Sequence, residues 1–182
     1  MRTVYEMKIQ LEYIKPPVWR KFLVPADIRL DRLHAIIQWV MGWSNYHLFE
    51  FMAGKIRYGK RSPYDDDFRV VSVAKTSLNE VLTKEKQKMR YIYDFGDDWL
   101  HCLQLMKIHE MEEFPAYTCL DGKRACPPED CGSIPGYMEI LEQLALPEDE
   151  RDEELMDWLG DYDPDAFDLD TLNRKLRRLK VK

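Results

Sequence analysis

Residues 5–13 read YEMKIQLEY, in which apolar and polar side chains alternate one for one. Successive side chains of a β-strand point to opposite faces, so this alternation predicts a strand with one buried and one solvated face. Pro16 and Pro17 interrupt the pattern because proline cannot donate a hydrogen bond to a neighbouring strand. Residues 18–24 are predicted to form a second strand, and the two strands together predict an antiparallel hairpin.

Helix signals and breaking residues predict the elements that follow this hairpin. Asp31 is predicted to cap a helix whose apolar side chains recur at helical spacing, and Gly42 is placed to end it. Ser77 and Glu80 have the spacing of a capping box, which predicts a second helix start. Extended segments are predicted at residues 47–52, 55–58, 68–73, 89–95 and 99–108, and further helices at residues 137–144, at 155–159 and after an N-cap at Asp170.

These elements predict one α+β domain over residues 1–182. The sheet is expected to be largely antiparallel, with about six strands built from hairpins and with helices packed on it. Residues 89–108 should form its central hairpin, because the second arm is apolar on both faces. A hydrophobic content of 45% in 182 residues is enough for one substantial core.

The sequence also predicts the compartment. No apolar run approaches the ~20 residues that a membrane span requires, and the N-terminus lacks the apolar stretch of a signal peptide. Four cysteines in a chain of 182 residues do not make a disulfide scaffold, so they are expected to be reduced thiols or metal ligands. We therefore expect a cytoplasmic protein without a membrane partner.

The charge balance bears on nucleic-acid binding. The formal net charge is −6, and affinity for nucleic acid depends mainly on clustered Lys and Arg. Tryptophans near basic residues would suit a stacking surface for single strands, but core packing accounts for most of them. A nucleic-acid accessory factor is therefore an alternative that the net charge does not favour.

The turn of the central hairpin carries the first candidate site. Residues 91–101 read YIYDFGDDWLH, which brings the carboxylates of Asp94, Asp97 and Asp98 and the imidazole of His101 close to one turn. Such a set can bind a divalent cation or transfer protons. We expect Asp94, Asp97 and His101 to line a common cleft with at least one of His47 or Glu129. The alternative is that these aspartates only shape the turn and that His101 only packs.

A second candidate site lies in the aperiodic segment 109–135. Cys119, Cys126 and Cys131 could hold a structural zinc ion, with His101 or His109 as the fourth ligand. Their spacing lacks the paired CxxC knuckles of common zinc sites, so small buried thiols are the alternative reading. In either case this segment is expected to be coupled to the hairpin that precedes it.

Several unusual strings occur together and in order along the chain. They are Pro16-Pro17-Val18-Trp19-Arg20, Leu33-His34 with Gln38, Met41-Gly42-Trp43, Tyr93-Asp94-Phe95-Gly96-Asp97 with Trp99 and His101, the run from Ala125 to Gly132, Gly136-Tyr137, and Asp163-Pro164 with Phe167 and Asn173. With these strings the chain resembles the plasmid pRiA open-reading-frame-three-like family, also labelled TnpR-like passenger proteins of insertion elements. The resemblance runs from residue 4 to about residue 176.

The resemblance implies a genomic setting but no reaction. Two strings depart from the family: Phe49 stands where many members have a second histidine, and Ser133 replaces a frequent glycine. A serine recombinase needs a nucleophilic serine near its first strand, whereas the first serine here is Ser44, so that chemistry is rejected. We expect a non-catalytic binding or accessory module linked to plasmid or mobile-element genes. The alternatives are a metal-dependent enzyme using the Asp94–His101 hairpin and the nucleic-acid factor above.

Overall fold

The computed structural model describes residues 1–60, 70–114 and 116–179. The strands within these ranges are β1 (Arg2–Leu11), β2 (Trp19–Pro25), β3 (Phe49–Ala53), β4 (Ile56–Gly59), β5 (Val70–Ser72), β6 (Lys88–Tyr93), β7 (Trp99–Met111) and β8 (Thr118–Lys123). The α-helices are α1 (Leu30–Met41), α2 (Leu78–Val81), α3 (Ser133–Ala145), α4 (Glu153–Leu159) and α5 (Leu169–Leu176), with short 3₁₀ turns at Val73–Lys75 and Glu148–Glu150.

The strands form one mixed sheet in the order β5-β4-β3-β6-β7-β1-β2-β8. Every neighbouring pair is antiparallel except β4 and β5, which run parallel. The predicted α+β class and largely antiparallel sheet are therefore confirmed. The described residues contain eight strands rather than about six. The β6–β7 hairpin lies at the centre of the sheet, as predicted.

The alternation in β1 is confirmed from Met7 to Leu11. Glu6, which was expected on the solvated face, is 8% exposed, and its carboxylate lies 3.2 Å from His109 Nε2 and 3.9 Å from Lys21 Nζ. Met7, Ile9 and Leu11 are buried, and β1 pairs with β2 on one side and with β7 on the other. The prediction was wrong for Tyr13, which lies outside the strand with 74% of its surface exposed. The chain has already turned there, because Leu11 donates its backbone N–H to Val18 O across the hairpin.

Helix α1 packs its apolar stripe against the sheet. Leu33 and Ile37 are fully buried, and Gly42 ends the helix with a left-handed φ of 96°, as predicted. Asp31 is not the N-cap: Arg29 holds that position with an extended backbone, and Asp31 instead accepts two hydrogen bonds from the Arg29 guanidinium. The helix starts earlier because Leu30 N–H already has a partner in Thr76 O.

Strand β8 was missed in the segment predicted to be aperiodic. It is an edge strand in which Cys119 alone is buried, and its pairing with β2 shifts register between Lys21 and Phe22, so no alternation is visible. On its outer edge, Asn173 of α5 accepts from Cys119 N–H and donates to Cys119 O.

The N-cap of α5 is Asp168 and not Asp170, since Asp168 accepts from Thr171 N–H. Of the predicted segment 68–73, residues 68–69 lie outside the described ranges.

A buried arginine joins the sheet to α1 and to the segment after β8. The Arg20 guanidinium is 3% exposed and donates to four backbone carbonyls at 2.7–2.9 Å, those of Trp19, Val40, Lys123 and Arg124. Its carbon lies 4.3 Å from the centre of the Phe167 ring. These contacts hold one charge in the interior without a carboxylate partner among the described residues.

Candidate functional site

The candidate site forms at the end of the sheet where β6 turns into β7. Asp94 directly follows β6 with a left-handed φ of 59°, and its Oδ1 accepts a hydrogen bond from Gly96 N at 2.9 Å. Asp98 N donates to Asp94 O at 2.6 Å, which closes the turn. The turn therefore fixes the Asp94 carboxylate, whose side chain is 10% exposed.

The loop between α1 and β3 brings His47 to this turn. Asp94 N donates to Leu48 O at 2.9 Å, and Tyr46 N donates to Tyr93 Oη at 3.2 Å. These two bonds lie on either side of His47 and hold it beside the end of β6. The imidazole is 27% exposed and packs edge-on to the Tyr93 ring.

The segment before α3 closes the site from a third side. Tyr93 Oη donates to Glu129 Oε1 at 2.6 Å, and Ser44 N donates to Glu129 Oε2 at 3.0 Å. Ser133 Oγ donates to the backbone oxygen of Asp97 at 2.6 Å. Burial and the nearby Glu129 carboxylate raise the pKa of Tyr93, so its hydroxyl remains a donor. This segment is thus bonded to the preceding hairpin, as the coupling prediction required.

Three side chains from these segments converge on one point. His47 Nε2 lies 3.1 Å from Asp130 Oδ1 and 3.6 Å from Asp94 Oδ2. The three ligand atoms all lie within 4.8 Å of one another, and among the described residues no other group of three His, Cys, Asp or Glu side chains does so. Asp130 is 71% exposed, so this group opens to solvent on one side.

The charge around this point is unbalanced. No Lys or Arg within the described ranges forms an ion pair with any nearby carboxylate, namely Asp94, Asp97, Asp98, Glu129 or Asp130. Two side-chain atoms in these segments, His47 Nε2 and Asp97 Oδ2, are buried and have no aligned hydrogen-bond partner, although Asp97 does not belong to the group of three converging ligands. Buried polar atoms are nearly always paired, so both unpaired atoms require an explanation.

His101 does not line this cleft, which corrects the expectation from the sequence. It is fully buried, its Nδ1 lies 3.2 Å from Tyr91 O, and its ring packs edge-on to Trp43. Burial lowers the pKa of His101 to about 4. Side chains two residues apart in a strand point to the same face. His101 therefore points the same way as Trp99 and Leu103, which belong to the core.

The cysteines do not assemble as the zinc reading expected. Cys119, Cys126 and Cys131 do not form a set of close ligand atoms with His101 or His109 in the described chain. Burial raises the pKa of Cys119 and of Cys126 to about 11 and that of Cys131 to about 12, which opposes the thiolate form that binds zinc. The alternative reading, small buried thiols, describes Cys119 and Cys126.

A buried hydrogen-bond network supports the site from behind. His34 Nε2 lies 2.6 Å from Asn45 Oδ1 and His34 Nδ1 lies 2.8 Å from Tyr91 Oη, which also accepts from Gln38 Nε2. Asn45 lies two residues before His47, so the network fixes the start of that loop. The sequence signal for it was polar residues on the buried face of α1, His34 and Gln38, which sequence reasoning did not connect to the site.

Comparisons with known proteins agree with this fold. The family described as "Plasmid pRiA4b ORF-3-like protein" matches residues 3–171. "Uncharacterized protein y4hQ" of Sinorhizobium fredii is 34% identical over 182 residues, covering 99% of this chain and 94% of that protein. The crystal structure of "Protein of Unknown Function MM3350" from Methanosarcina mazei Go1 is similar with a TM-score of 0.83 and 35% identity, covering 94% of this chain and 98% of that one. None of the helices in the described ranges has the length and apolar character to cross a membrane.

Proposed function

Because the chain belongs to the plasmid pRiA4b ORF-3-like family, and the names of its matched relatives state no activity, we propose a function from the geometry of the site. The protein binds a divalent metal ion there. His47, Asp94 and Asp130 are the proposed ligands. The observation that carries the proposal is the buried Nε2 of His47, which lies 3.1 and 3.6 Å from two carboxylate oxygens and has no aligned hydrogen bond.

The spacing of the ligand atoms supports a single shared ion. Donor atoms about 2.1 Å from one metal ion lie roughly 3.0–3.4 Å from each other in tetrahedral or octahedral arrangements. The separations of His47 Nε2 from the two aspartate oxygens, 3.1 and 3.6 Å, are close to these values. A bound cation would also offset the excess of carboxylates at this end of the sheet.

The donor set favours a borderline or hard divalent ion. Imidazole suits zinc and iron, whereas carboxylates suit manganese and magnesium, so one imidazole with two carboxylates favours Zn²⁺, Mn²⁺ or Fe²⁺. The exposed side of the site, at Asp130, would leave coordination positions for water or for a ligand. We propose a binding module, with the metal site as its functional centre.

A metal-dependent enzyme is the second candidate. Catalytic metal sites keep an open position beside three protein ligands, and the exposure of Asp130 favours that arrangement. Glu129 would be its acid or base, since His101 is enclosed in the core. This candidate would be favoured if the protein hydrolysed an ester or phosphoester only in the presence of metal. The Glu129→Gln variant should then lose that activity and keep its affinity for the metal.

The excess of carboxylates at the site argues against phosphate-backbone binding there, and so against the nucleic-acid factor.

Titration calorimetry with Zn²⁺ and Mn²⁺ on chelator-treated protein tests the metal proposal. The wild type should bind one ion per chain, and Asp130→Asn or His47→Gln should weaken binding by about tenfold or more, since each removes a ligand. Asp98→Asn is the matched control, because Asp98 is an exposed carboxylate of the same turn that is not a proposed ligand. Equal weakening by Asp98→Asn would mean general attraction to an acidic surface and would contradict a defined site.

We also propose that residues 1–182 fold as a single domain that acts in the cytoplasm, linked to plasmid or mobile-element genes. The core cluster, which runs from Val4 to Leu176, supports the first part. Four cysteines without a disulfide support a reducing compartment. The description of the family as a plasmid reading frame supports the genetic link.

A further inference from the structure

A basic pocket lies at the opposite end of the sheet from the metal site. It has a cavity volume of about 260 Å³ and is lined by Arg2, Pro25, Asp27, Ile28, Arg29, Arg32 and Tyr117. Arg2 pairs in register with Met111 at the far end of β7, whereas the Asp94 turn joins the start of that strand. The two sites are therefore separated by the length of β7, which has 13 residues.

The arginines of this pocket are incompletely neutralised. Arg29 is held by Asp31 through two hydrogen bonds of 3.0 Å, and Arg2 makes a looser contact of 3.4 Å with the exposed Asp27. Arg32 has no carboxylate within ion-pair distance in the parts of the chain that the structure describes. Exposed pairs such as Arg2–Asp27 contribute little, so an incoming anion can displace Asp27 easily.

Two of these cations stand at the wrong end of a helix. Arg29 is the N-cap of α1 and Arg32 lies in its first turn. The N-terminus of a helix carries partial positive charge, so cations there are unfavourable and anions are favourable. Asp31, in the same turn, compensates Arg29 through its two hydrogen bonds, whereas Arg32 has no such partner among the described residues. A residue that violates a local rule without local compensation often marks a functional position. An anion bound between Arg32 and the start of α1 would offset the unfavourable interaction of the Arg32 charge with the positive end of the helix.

Tyr117 supplies a donor without a partner. It is 6% exposed, lines the pocket, and makes ring contact with Phe114, but its hydroxyl has no hydrogen bond within the described ranges. Burial raises the pKa of Tyr117, so the hydroxyl keeps its proton at neutral pH. A hydroxyl without a partner, beside the unpaired Arg32 and the loosely paired Arg2, suits recognition of an oxyanion.

We propose that this pocket binds the phosphoryl group of a small molecule, with Arg32, Arg2 and Tyr117 as donors. Arg recognises phosphate through paired N–H donors, and a helix start adds favourable electrostatics. The cavity of about 260 Å³ is smaller than the roughly 300–1,000 Å³ of sites for drug-sized ligands, so it suits a phosphate or a small phosphate monoester.

Titration calorimetry in the presence of a chelator tests this proposal without the metal site. Inorganic phosphate and phenyl phosphate are the probes, and sodium chloride at matched ionic strength is the reference. Arg32→Gln should weaken phosphate binding about tenfold, and Tyr117→Phe about threefold, because they remove a charged and a neutral donor. Arg90→Gln is the matched control, since Arg90 is an exposed arginine of β6 that does not line the pocket.

The outcomes separate the alternatives. Tighter binding of phenyl phosphate than of inorganic phosphate would identify a phosphate monoester, and equal binding would identify free phosphate; both support the pocket. No heat above the chloride reference, or equal losses in Arg32→Gln and Arg90→Gln, would overturn the proposal. Thermal unfolding of each variant verifies that it is folded, which Arg32→Gln should be, since Arg32 is exposed.

Discussion

Two buried histidines should make the protein sensitive to mild acid. His34 is 4% exposed and His101 is fully buried, and burial lowers the pKa of each to about 4. In the unfolded chain each imidazole should titrate near its ordinary pKa of about 6.5. Between these values the unfolded state binds a proton that the folded state does not, so stability is lost as the pH falls from 6.5 towards 4.

The size of the effect follows from the same pKa values. Lowering the pH from 7 to 5 should reduce the free energy of unfolding by about 2 kcal/mol for each histidine, or about 4 kcal/mol together. That is a large part of the stability of an ordinary domain, which is about 5–15 kcal/mol. Most carboxylates remain ionised at pH 5, so the histidines should dominate this pH range.

Urea unfolding at pH 7 and pH 5 measures the effect. His101→Phe keeps a ring of similar shape in the core and removes the titrating group, so its loss between the two pH values should be about 2 kcal/mol smaller than that of the wild type. Comparing the two proteins cancels the carboxylates. Equal pH-dependent losses in wild type and His101→Phe would refute the reasoning that His101 is held neutral by burial.

Three further predictions concern the core. Ile37→Ala should lower the free energy of unfolding by about 2–4 kcal/mol, since Ile37 is fully buried in α1; a change below about 0.5 kcal/mol in urea unfolding would contradict its place in the core. Arg20→Lys should cost about 2–3 kcal/mol in the same assay, because an ammonium cannot reach all four carbonyls. Cys119 and Cys126 should react with a thiol reagent only after unfolding, and labelling of either in native protein would contradict their burial.

Strands and helices with strong periodicity could be predicted from the sequence. The alternation from Met7 to Leu11 was clear because Met7, Ile9 and Leu11 are buried while Lys8 and Gln10 are partly exposed. The end of α1 at Gly42 was clear because glycine readily adopts the left-handed φ found there. Strand β8 could not be found, since its pairing depends on a register shift against β2 and on Asn173 from a distant helix. Such long-range contacts leave no local pattern.

The candidate site was predictable in part. Asp94, His47 and the segment with Glu129 do meet at the end of the central hairpin, because a turn and two loops share one edge of the sheet. Sequence reasoning chose Glu129, but Asp130 is the residue that reaches His47; a single-residue choice within a loop depends on backbone geometry. His101 was misplaced because it shares its strand facing with Trp99 and Leu103, and a strand that is apolar on both faces does not reveal from its sequence which face is enclosed.

The central claim is that a metal ion binds between His47, Asp94 and Asp130. Anomalous diffraction at the zinc edge, from crystals of the wild-type protein soaked in Zn²⁺, tests it most directly. The account predicts one strong peak about 2.0–2.2 Å from His47 Nε2, Asp94 Oδ2 and Asp130 Oδ1. A peak on the cysteines instead, or no peak at this end of the sheet at saturating Zn²⁺, would contradict it.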